Sequence, residues 1–281
     1  MQQKKIFHMV SAVLIILFIA ACSPPPVAPT LQQPSITETQ PAQASPTGTE
    51  LLGTAEGTSM PMPDAGLGLC ANTYYPVRQG ATWTYKSTGG PAGEYSFTDT
   101  ITAVGQDSFT LTTQIGGLIN LQDWNCTPDG LLAHQLGGAP AAMLNSQGIQ
   151  LTLNATHASG VVFPSQINPG DTWQHTLDVA GNVTVANEEA EAAGTAQMNF
   201  SAIGNESVTV PAGTFDALKI QVDTTLNVDA SYEGITLPVA FSGTHTYWFV
   251  PGVGWVKSTG TGNFLAASFS ETTELQSYSI P

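Results

Sequence analysis

The feature that most constrains the fold is an alternation of apolar and polar residues with a period of two. It is clearest along residues 220–228, where Ile, Val and Leu alternate with Gln, Asp, Thr and Asn. Such alternation gives a β-strand one buried face and one wet face. From Tyr74 onward the chain consists of similar short runs punctuated by Gly, Pro, Asn and Asp, without a long stretch of helical periodicity. The pattern predicts an all-β fold.

Further strands are predicted wherever β-branched and aromatic residues cluster between turn residues. They cover residues 81–86, 94–104, 108–115, 118–125, 172–177, 195–203, 206–210, 243–250, 255–261 and 265–274. The segment from Glu188 to Ala193 looks helical, but it is too short to form a stable helix by itself.

Three short sequence motifs each occur twice, in the same order, which predicts an internal duplication. They are Gly80-Ala81-Thr82-Trp83 with Gly170-Asp171-Thr172-Trp173, residues 104–111 with 203–210, and Trp124…Gly130 with Trp248…Gly254. We expect two related β-meanders, about 74–135 and 162–260, with Trp83 over Trp173 and Asp107 over Glu206. The alternative is chance recurrence of short motifs in a Thr-rich chain.

Each meander has a single apolar face, which it must bury against something. The nearest partner is the other copy, so the expected architecture is a curved antiparallel sheet or sheets, half-barrel or sandwich-like. Gly105-Gln106-Asp107 and Gly204-Asn205-Glu206 are predicted as hairpin turns, because glycine supplies the positive φ that a tight turn needs.

The amino terminus is typical of an exported lipoprotein. Lys4 and Lys5 precede an apolar run that is about five residues shorter than the ~20 needed to span a bilayer. The run ends in Ile19-Ala20-Ala21-Cys22, which resembles a bacterial lipobox. We predict a signal peptide over 1–21, lipidation of Cys22, and anchoring to the extracytoplasmic side of a cell-envelope membrane. The alternatives are ordinary secretion and a retained short anchor.

Residues 22–68 are predicted to be a disordered tether. Nine prolines lie between Ser23 and Pro63 among Gln, Thr, Ser and Ala, and no aromatic residue occurs between Cys22 and Tyr74. Such a segment cannot bury enough apolar surface to offset its ordering entropy. The all-β domain is then expected over 69–281.

The charge of the chain argues against nucleic-acid binding. Without Lys4 and Lys5, four basic residues stand against 21 acidic ones, a net charge of −17. A phosphate polymer would be repelled by this chain. Cys70 and Cys126 are an even pair in an exported chain, so we expect them to form a disulfide, with two separate buried thiols as the alternative.

Two motifs resemble a family of exported β-domains. The sequence Val208-Thr209-Val210-Pro211-Ala212-Gly213-Thr214-Phe215 and the segment Tyr247-Trp248-Phe249-Val250-Pro251-Gly252-Val253-Gly254-Trp255 are similar to motifs of uncharacterised bacterial proteins of the TapB-like family. This resemblance covers residues 74 to about 275. It implies a fold like that of the lipoprotein carrier LolA, a curved antiparallel sheet around an apolar interior, and it implies no chemistry.

No motif for catalysis, a metal or a cofactor is recognisable. The mature histidines, His134, His157, His175 and His245, form neither a HExxH nor a HxH arrangement. No GxSxG elbow or SxxK pair is present. The sequence therefore predicts no cofactor and no metal site.

The aromatic residues are the remaining candidates for a functional site. Trp83, Trp124, Trp173 and Trp248 fall near strand ends or turns and are the candidate lining of a ligand cleft between the copies. Our leading hypothesis is a non-enzymatic binding or assembly module for an apolar ligand or an envelope protein. The alternatives are a polysaccharide hydrolase using acids such as Asp99, Glu94 or Asp171, and a structural envelope spacer.

The substitution Cys22→Ala tests the anchor. Without the thiol that receives the lipid, we expect the protein to leave the washed membrane fraction, as measured by immunoblotting of the fractions. Processing and membrane retention of the variant equal to those of the wild type would contradict the lipoprotein assignment.

Overall fold

A computed structural model describes residues 68–90, 93–135, 149–185, 188–264 and 267–281. Cys22, the signal peptide and the tether up to residue 67 lie outside these residues. The described part contains one 3-10 helix, Gly68–Cys70, and thirteen strands. The strands are β1 Thr82–Gly90, β2 Gly93–Val104, β3 Ser108–Ile115, β4 Leu118–Thr127, β5 Gly130–Ala133, β6 Ile149–Gly160, β7 Phe163–Pro164, β8 Thr172–Val185, β9 Glu188–Val210, β10 Gly213–Tyr232, β11 Ile235–Val250, β12 Gly254–Phe264 and β13 Ala267–Ser279.

All thirteen strands form one antiparallel sheet that curls into a half-barrel, as the alternation predicts. Their order across the sheet is β6-β8-β9-β10-β11-β12-β13-β1-β2-β3-β4-β5-β7. Strands β8 to β13 are joined by successive hairpins, and so are β1 to β5. The pairing of β13 with β1, for example Trp83 opposite Tyr278, unites the two runs. Of the two architectures expected, the half-barrel is therefore the one observed.

The two outermost strands of the sheet are consecutive in the chain. Strand β6 ends at Gly160 and β7 begins at Phe163, so the sheet must curl until its edges approach each other. Two backbone hydrogen bonds tie β6 and the β6–β7 connection to β5 and the residue that follows it. The Ala155 N–H donates to the His134 carbonyl at 3.2 Å, and the Val162 N–H donates to the Leu131 carbonyl at 2.8 Å.

The two hairpin runs share their hydrogen-bond register at their first strands. In both runs, a glycine lies two residues before the first strand, and its backbone N–H donates to a carbonyl of the second strand. The N–H of that same second-strand residue donates back to the carbonyl of the residue after the glycine. The four bonds are Gly80 N to Ile101 O (2.8 Å), Ile101 N to Ala81 O (3.0 Å), Gly170 N to Ala202 O (2.7 Å) and Ala202 N to Asp171 O (2.9 Å). Trp83 and Trp173 therefore occupy equivalent positions in β1 and β8. The duplication itself stays a prediction.

This register corrects the expected match of Asp107 with Glu206. A β-bulge falls at Thr102 in β2 and at Ile203 in β9, immediately after the equivalent residues Ile101 and Ala202. Such bulges bend a strand without ending it. The segment Gly204-Asn205-Glu206 therefore continues inside β9, and the β9–β10 turn lies at Pro211-Ala212. The predicted strands 195–203 and 206–210 are one strand.

The helical interpretation of residues 188–193 is also wrong. These residues open β9, where Ala190 and Ala192 are buried while Glu189 and Glu191 are exposed. That alternation has a period of two, which is the period of a strand with one buried face.

One apolar cluster includes side chains from both hairpin runs. Tyr75 packs on Trp124 and Phe163, with ring centroids 5.3 and 5.1 Å apart, and Phe163 packs on Phe249 at 5.1 Å. A second cluster, around Leu177, Leu226 and Phe241, lies between the longer strands of the second run. The core is thus built from facing parts of one curled sheet.

A disulfide joins Cys70, at the end of the 3-10 helix, to Cys126 in β4, with the two Cα atoms 4.9 Å apart. Both cysteines are buried. The bond attaches the first described residues to the sheet on which Tyr75 packs.

Replacing both cysteines, in the variant Cys70→Ser/Cys126→Ser, should lower the free energy of unfolding. The chain-entropy model gives about 4 kcal/mol for a loop of this length, measurable by urea denaturation. Dithiothreitol should destabilise the wild type by a similar amount and leave the variant unaffected. Two alkylatable thiols in unreduced protein purified from the oxidising side would contradict the disulfide.

Candidate functional site

An unfilled cavity of about 270 Å³ lies on the concave face of the half-barrel. Its walls come from both hairpin runs and are mainly aromatic and aliphatic. The apolar lining residues include Phe97, Leu111, Trp124, Phe163, Trp173, Met198, Phe200, Ile220, Val222, Phe241, Phe249, Trp255 and Phe269. Every second residue of a strand points inward, so one strand contributes several of them; β2, for example, contributes Tyr95, Phe97 and Asp99.

Two of the four predicted cleft tryptophans border this cavity and two do not. Trp124 and Trp173 line it. Trp83 points inward, but its indole N–H donates to the Val253 carbonyl at 2.6 Å, so it fills the space beside the β11–β12 turn. Trp248 lies on the convex face, because its neighbours in β11, Tyr247 and Phe249, both point into the cavity. The expected cleft is therefore corrected at Trp83 and Trp248.

Trp248 belongs to a polar cluster on the convex face. Its indole N–H donates to the Glu206 carboxylate, and the Lys219 ammonium lies 5.2 Å from its ring centroid. Lys219 and Glu206 are themselves 3.5 Å apart. This arrangement uses the tryptophan as a platform on the sheet surface and keeps it out of the cavity.

Trp255 lines the cavity and was not placed in the predicted cleft. Its ring stacks on Tyr85 with centroids 3.8 Å apart and planes 6° apart, and it meets Tyr247 edge-on at 5.8 Å. The Tyr85 hydroxyl donates to the Trp255 carbonyl at 2.9 Å. In the sequence, the feature that could have indicated a cavity position for Trp255 is its place directly after Gly254, at the start of a predicted strand.

Asp99 is a buried carboxyl in the cavity wall. Its Oδ1 accepts a hydrogen bond from the Thr113 hydroxyl at 2.5 Å. Burial raises the pKa of Asp99 from 3.8 to about 6, and the Thr113 hydrogen bond offsets part of that rise. Burial dominates because the charged form loses its water and one hydrogen bond replaces only part of that solvation.

A row of hydroxyl groups crosses five adjacent strands of the concave face. The row, Tyr95, Ser87, Thr273, Ser258 and Tyr247, follows directly opposed residues on β2, β1, β13, β12 and β11. Four of the five line the cavity, and Ser87 is fully buried beneath it. We call these five residues the hydroxyl row.

Glu271 and His245 occupy the next row of the same strands, on either side of Gly260. A side chain at Gly260 would overlap the His245 imidazole, so this glycine leaves room for the ring to lie across β12. Glu271 Oε1 accepts hydrogen bonds from the Ser87 hydroxyl and from the Tyr95 hydroxyl, the latter at 2.7 Å. Glu271 is therefore tied to the hydroxyl row.

Burial keeps the groups beside Glu271 uncharged. Burial lowers the pKa of His245, although Glu271 opposes that shift. Burial and the charge of Glu271 raise the pKa of Tyr247 to about 12. Burial, and then the hydrogen bond to Glu271, raise the pKa of Tyr95 well above its usual range. The two tyrosines are therefore neutral hydroxyl donors near pH 7.

The acids named for a hydrolase do not converge. Glu94 pairs with Lys86 on the surface at 2.9 Å, and Asp171 accepts hydrogen bonds from Asn168 in an exposed turn. The cavity does contain a second carboxylate, Glu271, but it lies far from Asp99. Asp99 is opposite Trp83 in β1, whereas Glu271 is level with Gly89, one residue past the Thr88–Thr272 pair. The Glu271 carboxylate reaches Ser87, which is four residues from Trp83 in β1, so about 13 Å of strand at roughly 3.3 Å per residue lies between the two acids. The carboxyl groups of a glycosidase pair are roughly 5–10 Å apart.

Within the residues that the structure describes, no three His, Cys, Asp or Glu side chains are grouped closely enough to hold a metal ion. Nor does that part of the chain contain a helix long and apolar enough to cross a membrane. Two buried ring nitrogens, Trp124 Nε1 and His175 Nε2, have no hydrogen-bond partner there. The other His175 nitrogen lies 3.2 Å from the Ser159 carbonyl, at the seam between the sheet edges.

Comparisons with known proteins give a family match over part of the chain. A family profile described as DUF3108-like matches residues 127–264, a little less than half of the chain. No curated protein shows significant sequence similarity. The matched profile does not carry the TapB-like name, so that assignment stays a prediction.

Several solved structures are similar at low identity. One is a candidate exported protein with a YmcC-like fold from Bacteroides fragilis, with 13% identity and a TM-score of 0.44, covering 75% of this chain and 100% of that one. A candidate lipoprotein from Parabacteroides distasonis has 14% identity and a TM-score of 0.42, covering 75% and 99%. The hypothetical lipoprotein YmcC from Escherichia coli has 13% identity and a TM-score of 0.31, covering 72% and 85%.

The raised pKa of Asp99 predicts a pH dependence of stability. Between about pH 4 and pH 6 the unfolded chain has released this proton while the folded chain still holds it. The contribution of Asp99 to stability should therefore fall as the pH rises through that window and be level above it. In Asp99→Asn this fall should be absent, and the variant should be more stable than the wild type at pH 7, by on the order of 2 kcal/mol.

Urea denaturation at a series of pH values measures this effect. The matched control is Asp123→Asn, because Asp123 accepts a hydrogen bond from Thr110 at 2.9 Å in the same sheet but on its exposed face. The control should keep the pH dependence of the wild type. Equal pH profiles for Asp99→Asn and the wild type would contradict a buried carboxyl of raised pKa at this position.

Proposed function

We propose that this protein is an exported, lipid-anchored binding protein whose half-barrel takes up a small apolar molecule, or the apolar part of a larger one, in the concave cavity. The cavity between the two hairpin runs carries the proposal. Protein interiors pack as densely as organic crystals, and an unfilled apolar space loses the contacts that its walls would make. An apolar ligand would restore those contacts.

The size of the cavity limits what fits. Its volume of about 270 Å³ is roughly nine times the ~30 Å³ that one water occupies in the liquid, and it is near the lower end of the 300–1,000 Å³ typical of ligand pockets. A ligand group of roughly ten to eighteen non-hydrogen atoms is the appropriate scale. The aromatic walls suit a flat ring or an alkyl chain.

The alternatives agree less well with these observations. A structural spacer needs no cavity, and a fully packed concave face would be more stable. A hydrolase of the two-carboxylate type needs its two carboxyl groups closer together than Asp99 and Glu271 lie. The proposed lipidation of Cys22 and the proposed tether up to residue 68 would hold the binding domain beside the membrane without embedding it.

A bulky residue in the cavity wall should block ligand uptake. Thr224 lines the cavity and is half-buried, and the next residue, Thr225, is exposed on the other face of β10. We expect the neutral dye N-phenyl-1-naphthylamine to bind the wild type with increased fluorescence. Thr224→Trp should weaken that binding about tenfold or more, because the indole occupies the ligand's space, whereas the control Thr225→Trp should bind like the wild type.

Fluorescence titration of the full chain measures both variants, and circular dichroism checks that each is folded. Failure of the dye and of short alkyl compounds to bind the wild type would contradict the proposed function. Equal binding by the two variants would place the dye outside this cavity.

A further inference from the structure

We propose that the ligand carries a basic, positively charged nitrogen, and that Glu271 binds it at the hydroxyl-row end of the cavity. This inference rests on the proposed function and identifies the chemical class of its ligand. The ligand is then a small cationic amphiphile, with its apolar part against the aromatic walls and its ammonium group against Glu271.

The first argument is the charge of the lining. The cavity lining contains two carboxyl groups, those of Asp99 and Glu271, and none of the lining residues in the described part of the chain is a lysine or an arginine. The nearest lysine along the sequence, Lys257, points to the other face of the sheet and pairs with Glu274 at 2.8 Å. Burial lowers the pKa of His245, which disfavours the charged imidazolium that could compensate Glu271. A cationic ligand would supply the missing charge.

The second argument is the way Glu271 is held. Its Oε1 accepts two hydroxyl hydrogen bonds, from Ser87 and Tyr95, and the Thr273 hydroxyl in turn donates to Ser87 at 3.1 Å. Oε2 accepts no hydrogen bond from any described residue. The carboxylate is therefore fixed by one oxygen and keeps the other available as an acceptor for an ammonium donor.

The third argument is the aromatic character of this end of the cavity. Tyr95, Tyr247, Trp255 and Phe269 all line it, and His245 lies 6.1 Å from Tyr247 and 6.4 Å from Phe269, measured between ring centroids. The faces of aromatic rings attract cations, and groups of such rings recognise ammonium ligands. A carboxylate or phosphate head group at this end would instead meet the Glu271 carboxylate and no lysine or arginine of the lining, so fatty acids and phospholipid phosphates are disfavoured.

Three compounds with one alkyl chain and different head groups test the proposal: octylamine, octanol and octanoate. For the wild-type full chain at pH 7.5, we expect octylamine to bind about tenfold more tightly than octanol, and octanoate to bind most weakly. A hydrogen bond to a charged partner is worth about this factor. Isothermal titration calorimetry measures all three, and displacement of N-phenyl-1-naphthylamine shows that they share the cavity.

The decisive variant is Glu271→Gln, which keeps an oxygen to accept from Ser87 and Tyr95 but removes the charge. It should lose the preference for octylamine and bind octanol as the wild type does. The matched control is Glu274→Gln, on the same strand but the other face, which should keep the preference. Thermal melting verifies that both variants are folded.

The outcomes separate this inference from the proposed function. Octanol and octylamine binding equally well to the wild type, or octylamine binding unchanged in Glu271→Gln, would overturn the head-group inference and leave the apolar binding function standing. No binding of any of the three compounds would overturn both. Tighter binding of octanoate than of octylamine would reverse the inferred charge of the ligand.

Discussion

The whole structure depends on burying the apolar face of a single sheet away from water. The described residues contain no α-helix that could cover a face of the thirteen strands, so most inward side chains can leave water only by facing one another. Curling the sheet achieves this, and the short connection between Gly160 and Phe163 brings the two edges together. Large rings such as Trp124 and Trp173 then span much of the interior. Where opposite walls do not meet, the cavity remains.

Much of the fold could be predicted from the sequence because a strand with one buried face leaves a local signature. The alternation along residues 220–228 does so, and four of the five strands of the first run, β1 to β4, were placed nearly correctly. The errors arose where a local signal had two structural meanings. Gly204 followed by two polar residues is equally compatible with a turn and with the bulge that the structure contains. Residues 188–193 were judged by their Ala and Glu content, although their alternation already favoured a strand.

The candidate site was harder to predict, because it depends on which face each residue occupies and on pairings between distant strands. Trp248 is adjacent to a cavity residue, Tyr247, and a shift of one position places it on the convex face. No feature of the sequence identified Glu271 as a candidate site residue. Its partners Ser87 and Tyr95 lie more than 170 residues away along the chain, and only the pairing of β13 with β1 brings them together. Aromatic composition thus indicated the chemistry of the cavity but not its polar end.

The place of β13 in the sheet also determines when the domain can form. This strand follows the other twelve described strands in the chain, yet it lies in the middle of the sheet between β12 and β1. A chain that emerges from its amino terminus, from a ribosome or through a membrane channel, can pair β1 to β5 early but leaves the outer edge of β1 open until β13 appears. The order of emergence therefore keeps the two runs apart until all the other described strands are out. A chain truncated before Ala267 would lack the strand that joins them.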